Sequence, residues 1–275
     1  MQRLYYIIIN VIFASTIVIW YALTLYSASF QTGMNLGPDP NIAATIFIII
    51  ACVIIFFVTF RLFKKFLETE KDSTLLLATF NAALSVSLIF ELVRHVFTFI
   101  SVHVMSSFVY GIIFLFLAWG FLFFLLFLQD IFTGTFSFKK HKIADIIFLS
   151  LIGFGISGFI LDSFDLVTQA YTIPSFATLG ITILLFCLWE VIGASRLIKK
   201  AQNDKTARIG LIMIALSGLV FIALDLAILV NIYVDISIFI RILMATATLL
   251  LYMGYIYPSR QKKLESKETE EISNQ

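Results

Sequence analysis

The sequence predicts an all-α fold: a polytopic transmembrane helix bundle of eight spans with both termini in the cytoplasm. Of the 275 residues, 60% are hydrophobic and only 13% are charged, which is too little polar surface to coat a soluble globule of this size. The apolar residues form unbroken runs of roughly 20 residues, the length of helix that crosses about 30 Å of hydrocarbon. Every second break between these runs is rich in Lys and Arg. We therefore expect a lipid bilayer to surround most of the chain.

Eight apolar runs delimit the predicted spans, with ends placed to within about 2 to 4 residues. They are Leu4–Ala28, Ile42–Phe63, Thr74–Phe97, Val104–Leu128, Ile143–Leu161, Ile173–Ile198, Ile209–Tyr233 and Ile236–Tyr257. The stretch from Thr74 to Leu128 is far too long for one crossing at about 1.5 Å per residue, so a tight turn near Ser101 must reverse the chain. Runs rich in Ile, Phe and Leu satisfy their backbone in lipid as helices and lack the alternation of barrel strands.

The basic residues predict the orientation of the bundle. With eight spans, the acidic and Pro-containing breaks, namely 37–40, Asp162, Asp165 and Asp235, fall on one side. The positive-inside rule places the other side in the cytoplasm, with both termini. The basic groups on that side are Arg3; Arg61, Lys64, Lys65 and Lys71; Lys139, Lys140 and Lys142; Arg196, Lys199, Lys200, Lys205 and Arg208; and Arg260, Lys262 and Lys263.

The first run has an alternative interpretation as a cleaved signal peptide. Arg3 precedes it, and Ser27 and Ser29 are small enough for a cleavage site. The run Leu4–Ala28 is, however, longer than the roughly 7 to 15 apolar residues of a signal-peptide core, which favours a membrane span. Cleavage would leave seven spans.

The two halves of the chain match at a nearly constant offset, which predicts a 4+4 parallel internal repeat. The repeats would be residues 1–134 and 135–260, followed by a disordered, charged cytoplasmic tail at residues 261–275. The alternative is chance similarity between Ile- and Phe-rich segments. The matched positions, at offsets of 135 and then 134, are Arg61–Lys65 with Arg196–Lys200, Cys52 with Cys187, Glu91 with Asp225, and Gly120 with Gly254.

Ionisable residues inside the predicted spans are the candidate site, because lipid makes such groups costly. Glu91 and Asp225 each lie about 25 Å along a helix from the cytoplasmic end of their span, and Arg241 lies about 9 Å from the outer surface. Arg94 and His95 follow Glu91 at helical spacings of three and four residues. The sequence therefore predicts a ligand- or ion-binding site in the outer third of the bundle, formed by these five residues.

Asn81, Ser85 and Ser87 extend the polar face of the third span toward the cytoplasm, and we interpret them as a polar path that must face protein or water. A structural alternative remains for the charged residues. In that alternative, Asp225 and Arg241 form an ion pair that holds the last two spans together, and the charged groups of the third span lie at the membrane interface.

Other signals are weaker. Glu91, His95 and His103 have helical spacing but no fourth tetrahedral ligand, so we predict no metal site. The sequence at 153–158 matches G-x-G-x-x-G but lies inside an apolar run, where small residues favour close helix packing. Glu190, six residues before Arg196, is interpreted as a group at the lipid headgroups.

Composition and motifs exclude several classes of function. A net charge of +2, scattered over short loops, does not indicate a nucleic-acid partner. The sequence contains no phosphate-binding loop and no convincing set of nucleophile, base and orienting residue, so we predict no cofactor and no enzymatic activity. The two cysteines lie in separate apolar runs and predict no disulfide.

We predict a non-enzymatic sensor or receptor-like module. Its short tail requires a separate cytoplasmic signalling partner. The alternative is a small-solute or ion transporter, favoured by the repeat and the polar path but disfavoured by the lack of a charged residue at the bilayer midplane. An intramembrane enzyme and a scaffold subunit are further alternatives. A sensor needs a blind pocket, whereas a transporter needs water to pass the bilayer centre.

Overall fold

The described part of the chain is entirely helical. The computed structural model describes residues 42–99, 103–133, 169–231 and 236–273, together with 150, 151 and 153. Six long helices cover these ranges: α1 (Ile42–Thr69), α2 (Asp72–Phe99), α3 (His103–Thr133), α4 (Gln169–Lys200), α5 (Lys205–Asn231) and α6 (Ser237–Ser273). They correspond to the second, third, fourth, sixth, seventh and eighth predicted runs. The expected reversal near Ser101 is confirmed, because α2 ends at Phe99 and α3 begins at His103.

Five of the six helices are long and apolar enough to cross a membrane, by length and composition. The apolar spans are Ile42–Thr69, Asp72–His95, Ala177–Lys200, Lys205–Ile228 and Ile238–Pro258. In α3, whose side chains are described only in part, the apolar stretch among the described residues is Trp119–Phe132. The first predicted run and nearly all of the fifth lie outside the described residues.

The outward surface of α1 is apolar, as expected of a helix that contacts lipid. Ile46, Val53, Phe56 and Phe60 are each more than half exposed, while Ile48, Ile55 and Leu62 on the opposite face are buried. A soluble bundle would place polar side chains at the exposed positions. The chain therefore has the surface of a protein surrounded by hydrocarbon.

Helix α3 forms the centre of the bundle. Six consecutive residues, Phe123 to Leu128, are almost completely buried, and six residues cover more than one helical turn, so protein encloses this segment on every side. The Phe124 ring lies 4.5 Å from the ring of Phe80 in α2, 5.5 Å from that of Phe186 in α4 and 5.7 Å from that of Phe221 in α5, measured between centroids. Phe127 meets Tyr255 of α6. Aromatic packing on α3 thus joins four helices.

The junctions between α1 and α2 and between α4 and α5 lie at the same end of the bundle, which we call the basic end. The hydroxyl of Tyr255 in α6 is 2.8 Å from Ser73 Oγ and 2.7 Å from Thr74 Oγ1, at the start of α2. One turn away in α6, Pro258 contacts Gly210 near the start of α5. Both basic junctions, Arg61–Lys71 and Arg196–Arg208, therefore face the same part of α6.

Local capping explains where the chain reverses at these junctions. Glu70 follows α1 with a φ of 51°, in the left-handed region, and its N–H donates to the Phe66 carbonyl, which closes the helix. Asp204 caps α5, because its Oδ1 accepts a hydrogen bond from the Ala207 N–H.

Helices α5 and α6 approach most closely at a pair of glycines. A Cβ atom at Gly210 would lie 2.6 Å from the Gly254 carbonyl oxygen, and one at Gly254 would lie 2.6 Å from the Gly210 carbonyl oxygen. Real Cβ atoms do not approach oxygen so closely, so this interface requires glycine on both helices. It fixes α6 against α5 at the basic end.

Helix α6 extends into the charged segment that follows its apolar span. It continues through Pro258 to Ser273, and so includes most of residues 261–275, for which the sequence predicts disorder. Pro258 is the last residue of the apolar span and lies on the turn that packs against Gly210. The charged composition that predicts disorder is also rich in Lys and Glu, which favour helix.

Candidate functional site

The centre of the candidate site is an ion pair between α2 and α6. Arg241 Nη2 donates to Glu91 Oε1. Glu91 lies about 12 Å from Phe99, where α2 ends, and Arg241 lies about 6 Å from Ser237, where α6 begins. The two side chains keep 12% and 17% of their surface exposed. The pair thus lies near the end of the bundle opposite the basic end, with some access from outside the protein.

Two further predicted residues join this pair. His95 is 5% exposed, and its Nδ1 shares a hydrogen bond of 3.0 Å with Thr45 Oγ1 of α1. Arg94 is 4% exposed. Glu91, Arg94 and Arg241 lie close enough to the His95 ring for their charges to act on it. We call Glu91, Arg94, His95 and Arg241 the charged cluster; it joins α1, α2 and α6.

Asp225 lies apart from the partner expected for it. The sequence allows an ion pair between Asp225 and Arg241, but Arg241 pairs with Glu91 instead. Asp225 is 7% exposed, and its charge acts on Cys187 of α4. Equal depth in the membrane therefore did not imply that Asp225 and Arg241 form a pair. Sequence reasoning missed Thr45, which contacts the charged cluster through His95. A single Thr in an apolar helix gives no signal of its own.

The residues of the predicted polar path are buried, but most of their polar groups bond within α2. Asn81 Nδ2 donates to the Leu77 carbonyl, Ser85 Oγ to the Asn81 carbonyl and Ser87 Oγ to the Leu84 carbonyl. The exception is Asn81 Oδ1, which has no hydrogen-bond partner. Hydroxyl groups that are satisfied by their own helix do not require water, so the stripe is not by itself a channel.

A buried carboxyl on α4 was misplaced by sequence reasoning. Glu190 is 0% exposed and accepts a hydrogen bond of 2.7 Å from Ser217 of α5. Its expected place at the headgroups came from the distance to Arg196, but the apolar span continues to Lys200. Glu190 thus lies about 15 Å inside that end. The depth of Glu190 has to be measured from the end of the helix at Lys200 and not from the first basic residue, Arg196.

The described side chains include no group of three or more His, Cys, Asp and Glu residues placed to hold a metal ion. The side chain of His103, which would complete the weak metal candidate, is outside those described. The cysteines Cys52 and Cys187 are both free thiols.

Comparisons of the chain with protein-family models, with curated proteins and with solved structures find no match. The function must therefore be argued from the site itself.

Proposed function

We propose that the protein is a non-enzymatic membrane sensor in which a small ligand binds the charged cluster and α6 transmits the change across the membrane. The observation that supports this most is the position of Arg241. It contacts Glu91 near one end of the bundle and lies on a helix that extends through Pro258 to Ser273, beyond the apolar span at the other end. A change at Arg241 thus acts on an element about 50 Å long.

The composition of the cluster supports a ligand that carries a carboxylate or another small anion. The cluster carries two guanidinium groups, those of Arg94 and Arg241, and one carboxylate, that of Glu91, which pairs with Arg241. An anionic ligand competes with Glu91 for the Arg241 donors, because guanidinium recognises carboxylates through paired hydrogen bonds. Binding releases α6 from α2, so the ligand favours the state in which that interhelical contact is broken.

The orientation in this proposal follows from the basic end. The junctions at Arg61–Lys71 and Arg196–Arg208 both lie beside the Tyr255–Pro258 part of α6. The positive-inside rule favours the cytoplasm for this end, and the charged cluster then faces the outside. The helical segment after Pro258 enters the cytoplasm in this orientation, where it is available to a separate signalling partner.

The 4+4 internal repeat is retained as part of the proposal, and a pair of matching contacts supports it. A Cβ atom at Gly120 of α3 would meet Phe80 of α2, and one at Gly254 of α6 would meet Ile214 of α5. Gly254 lies 134 residues after Gly120, and Ile214 lies 134 residues after Phe80, so the two contacts occur at matching positions in the two halves of the chain. A duplication accounts for this match more simply than chance similarity does.

The alternative function, a small-solute or ion transporter, is favoured by Glu190, a carboxyl at the depth where transporters bind their ions. It is disfavoured by the polar path, whose serine hydroxyls bond within α2.

Spin-label distances test whether α6 responds to the ion pair. Nitroxide labels at Lys64→Cys and Lys262→Cys, in a chain lacking Cys52 and Cys187, report the separation of α1 and α6 at the basic end. We expect Glu91→Gln and Arg241→Gln each to shift the distance distribution, and the charge swap Glu91→Arg with Arg241→Glu to restore it. Glu68→Gln, on the exposed surface of α1, is the matched control and leaves it unchanged. An unchanged distribution in both single variants would contradict the proposal.

Cysteine labelling separates the sensor from the transporter. Single cysteines at positions 81, 85, 87, 91 and 95 are treated with an impermeant thiol reagent from the outside. Labelling restricted to positions 91 and 95 indicates a blind pocket and supports the sensor. Labelling at 85 or 81 indicates a water path beyond the bilayer centre and favours the transporter.

A further inference from the structure

Glu190 is buried inside the bundle. It lies about 15 Å from Lys200, where α4 ends, and α4 extends in the other direction to Gln169. Its partner Ser217 lies about 18 Å from Lys205, where α5 begins. The contact between them therefore lies well inside two adjacent helices, where an ionised group is costly.

The surroundings of Glu190 leave half of its carboxyl group unsatisfied. Oε1 lies 2.7 Å from Ser217 Oγ, whereas Oε2 has no hydrogen-bond partner. The carboxyl group also lies against the backbone of α5, because a Cβ atom at Gly218 would be 3.1 Å from Oε2. The N–H groups of α5 at this point are used inside the helix and offer no donor.

The hydrogen bonds of Ser217 require a second proton. Its Oγ lies 2.7 Å from Glu190 Oε1 and also 2.7 Å from the Ile214 carbonyl oxygen. A serine hydroxyl has one proton, so it fully serves only one of these acceptors. If it donates to Ile214, the carboxyl group itself must donate to Ser217. Oε2 is then the carbonyl oxygen of a neutral acid, which tolerates the lack of a donor better than a carboxylate oxygen does.

Among the described side chains, no positive charge offsets an ionised Glu190. None of the described Lys and Arg side chains forms an ion pair with it. The titratable groups nearby are Cys187 on α4 and Asp225 on α5, neither of which is a cation. On α3, the contact with this part of α4 is made by Phe132, which packs on Gly193 and Trp189. The charge of Asp130 on α3 acts on Tyr255 of α6.

We infer that Glu190 is an intramembrane proton-binding site. The carboxylic acid donates to Ser217 Oγ, and Ser217 donates to the Ile214 carbonyl. Release of the proton to water leaves a carboxylate with one donor at most, so water must enter or α4 must move away from Gly218. Uptake of a proton from water restores the contact. Proton binding at Glu190 is thus coupled to the packing of α4 on α5, independently of the ligand proposed for the charged cluster.

Infrared difference spectroscopy tests this site directly. The full chain, reconstituted in phosphatidylcholine vesicles, is compared between mildly acidic and alkaline buffer, in which a protonated carboxyl group gives a carbonyl band that shifts in D₂O. We expect a band that is lost on alkalinisation, absent in Glu190→Gln and shifted to higher frequency in Ser217→Ala, which removes the hydrogen-bond partner. Glu68→Gln makes the same chemical change at an exposed position and leaves the band in place.

A band that persists in Glu190→Gln, or no protonated carboxyl band in the wild type, overturns the inference. So does a band that changes when sodium replaces choline at constant pH, because the carboxyl group then binds a monovalent cation. If Glu190→Gln does not fold, the Ser217→Ala shift in protein labelled with ¹³C-glutamate decides instead, and an unshifted band overturns the inference. Neither outcome affects the spin-label test, which depends on Glu91 and Arg241.

Discussion

At the scale of single residues, the bundle satisfies its polar groups in three different ways. Ser85 and Ser87 bond to carbonyl groups of their own helix, and Glu91 pairs with a charge on another helix. Glu190 has one hydrogen bond with a neutral hydroxyl and one oxygen without a partner. The last two depend on how helices are arranged, so they can report a change in that arrangement.

The ion pair gives a prediction at this scale. Arg241→Gln leaves Glu91 without its charged partner, and we expect it to lower the free energy of unfolding by about 2 kcal/mol, the usual value for a hydrogen bond to a charged group. The double variant with Glu91→Gln should cost less than Arg241→Gln alone, because no unpaired charge remains. Thermal unfolding in detergent measures both. A loss in the double variant equal to the sum of the losses in the two single variants would show that the two groups are not coupled.

At the scale of elements, close backbone contact decides how the helices pack. In lipid, hydrophobic burial does not drive helices together, because lipid tails are as apolar as the side chains. Helix association therefore depends on van der Waals contact and on the small residues that permit it. Gly210 and Gly254 bring α5 and α6 together at the basic end, whereas Gly180 in α4 has no atom within 4 Å of the position of a Cβ. The same residue type therefore has opposite roles in two helices.

This contrast predicts opposite signs for one substitution. Gly254→Ala inserts a methyl group 2.6 Å from a carbonyl oxygen and should lower the free energy of unfolding by about 1 to 3 kcal/mol. Gly180→Ala meets no obstacle and should raise it by up to about 1 kcal/mol through helix propensity. The apparent melting temperatures of the two purified variants provide the comparison. A stable Gly254→Ala would mean that α5 and α6 are farther apart than described.

At the scale of the whole molecule, α3 holds the bundle together. Phe124 touches aromatic rings of α2, α4 and α5, and Phe127 touches Tyr255 of α6. The outer helix α1 instead directs Phe56 and Phe60 away from the protein. Large apolar side chains thus occur both in the core and on the exposed surface of the bundle. Residue type alone therefore does not show whether such a side chain is buried.

Alanine substitutions separate these two roles. Phe124→Ala removes packing between four helices and should cost about 3 kcal/mol or more. Phe56→Ala exchanges one lipid-facing side chain for another and should change the free energy of unfolding by less than about 0.5 kcal/mol. Thermal unfolding of both variants in the same detergent tests the placement of α3. Comparable losses would mean that Phe56 also packs against protein.

Much of the candidate site was predictable, because helix periodicity fixes neighbours within one helix. Arg94 and His95 follow Glu91 at the spacings that place them on its face, and all three lie together in α2. Partners on other helices were not predictable in this way. Arg241 and Asp225 have similar depths, but Arg241 pairs with Glu91 and not with Asp225.

The sequence by itself determined that the chain is helical and has spans suited to a membrane, because composition and run length decide how a backbone is satisfied in lipid. It also determined where α2 and α3 separate and which ends carry basic residues. Only the tertiary structure decided that α3 is enclosed by other helices, that Glu91 meets Arg241, and that Glu190 lies against Ser217. Contacts between helices depend on how each one is rotated about its axis. In a chain that is apolar on every face, no amphipathic pattern encodes that rotation.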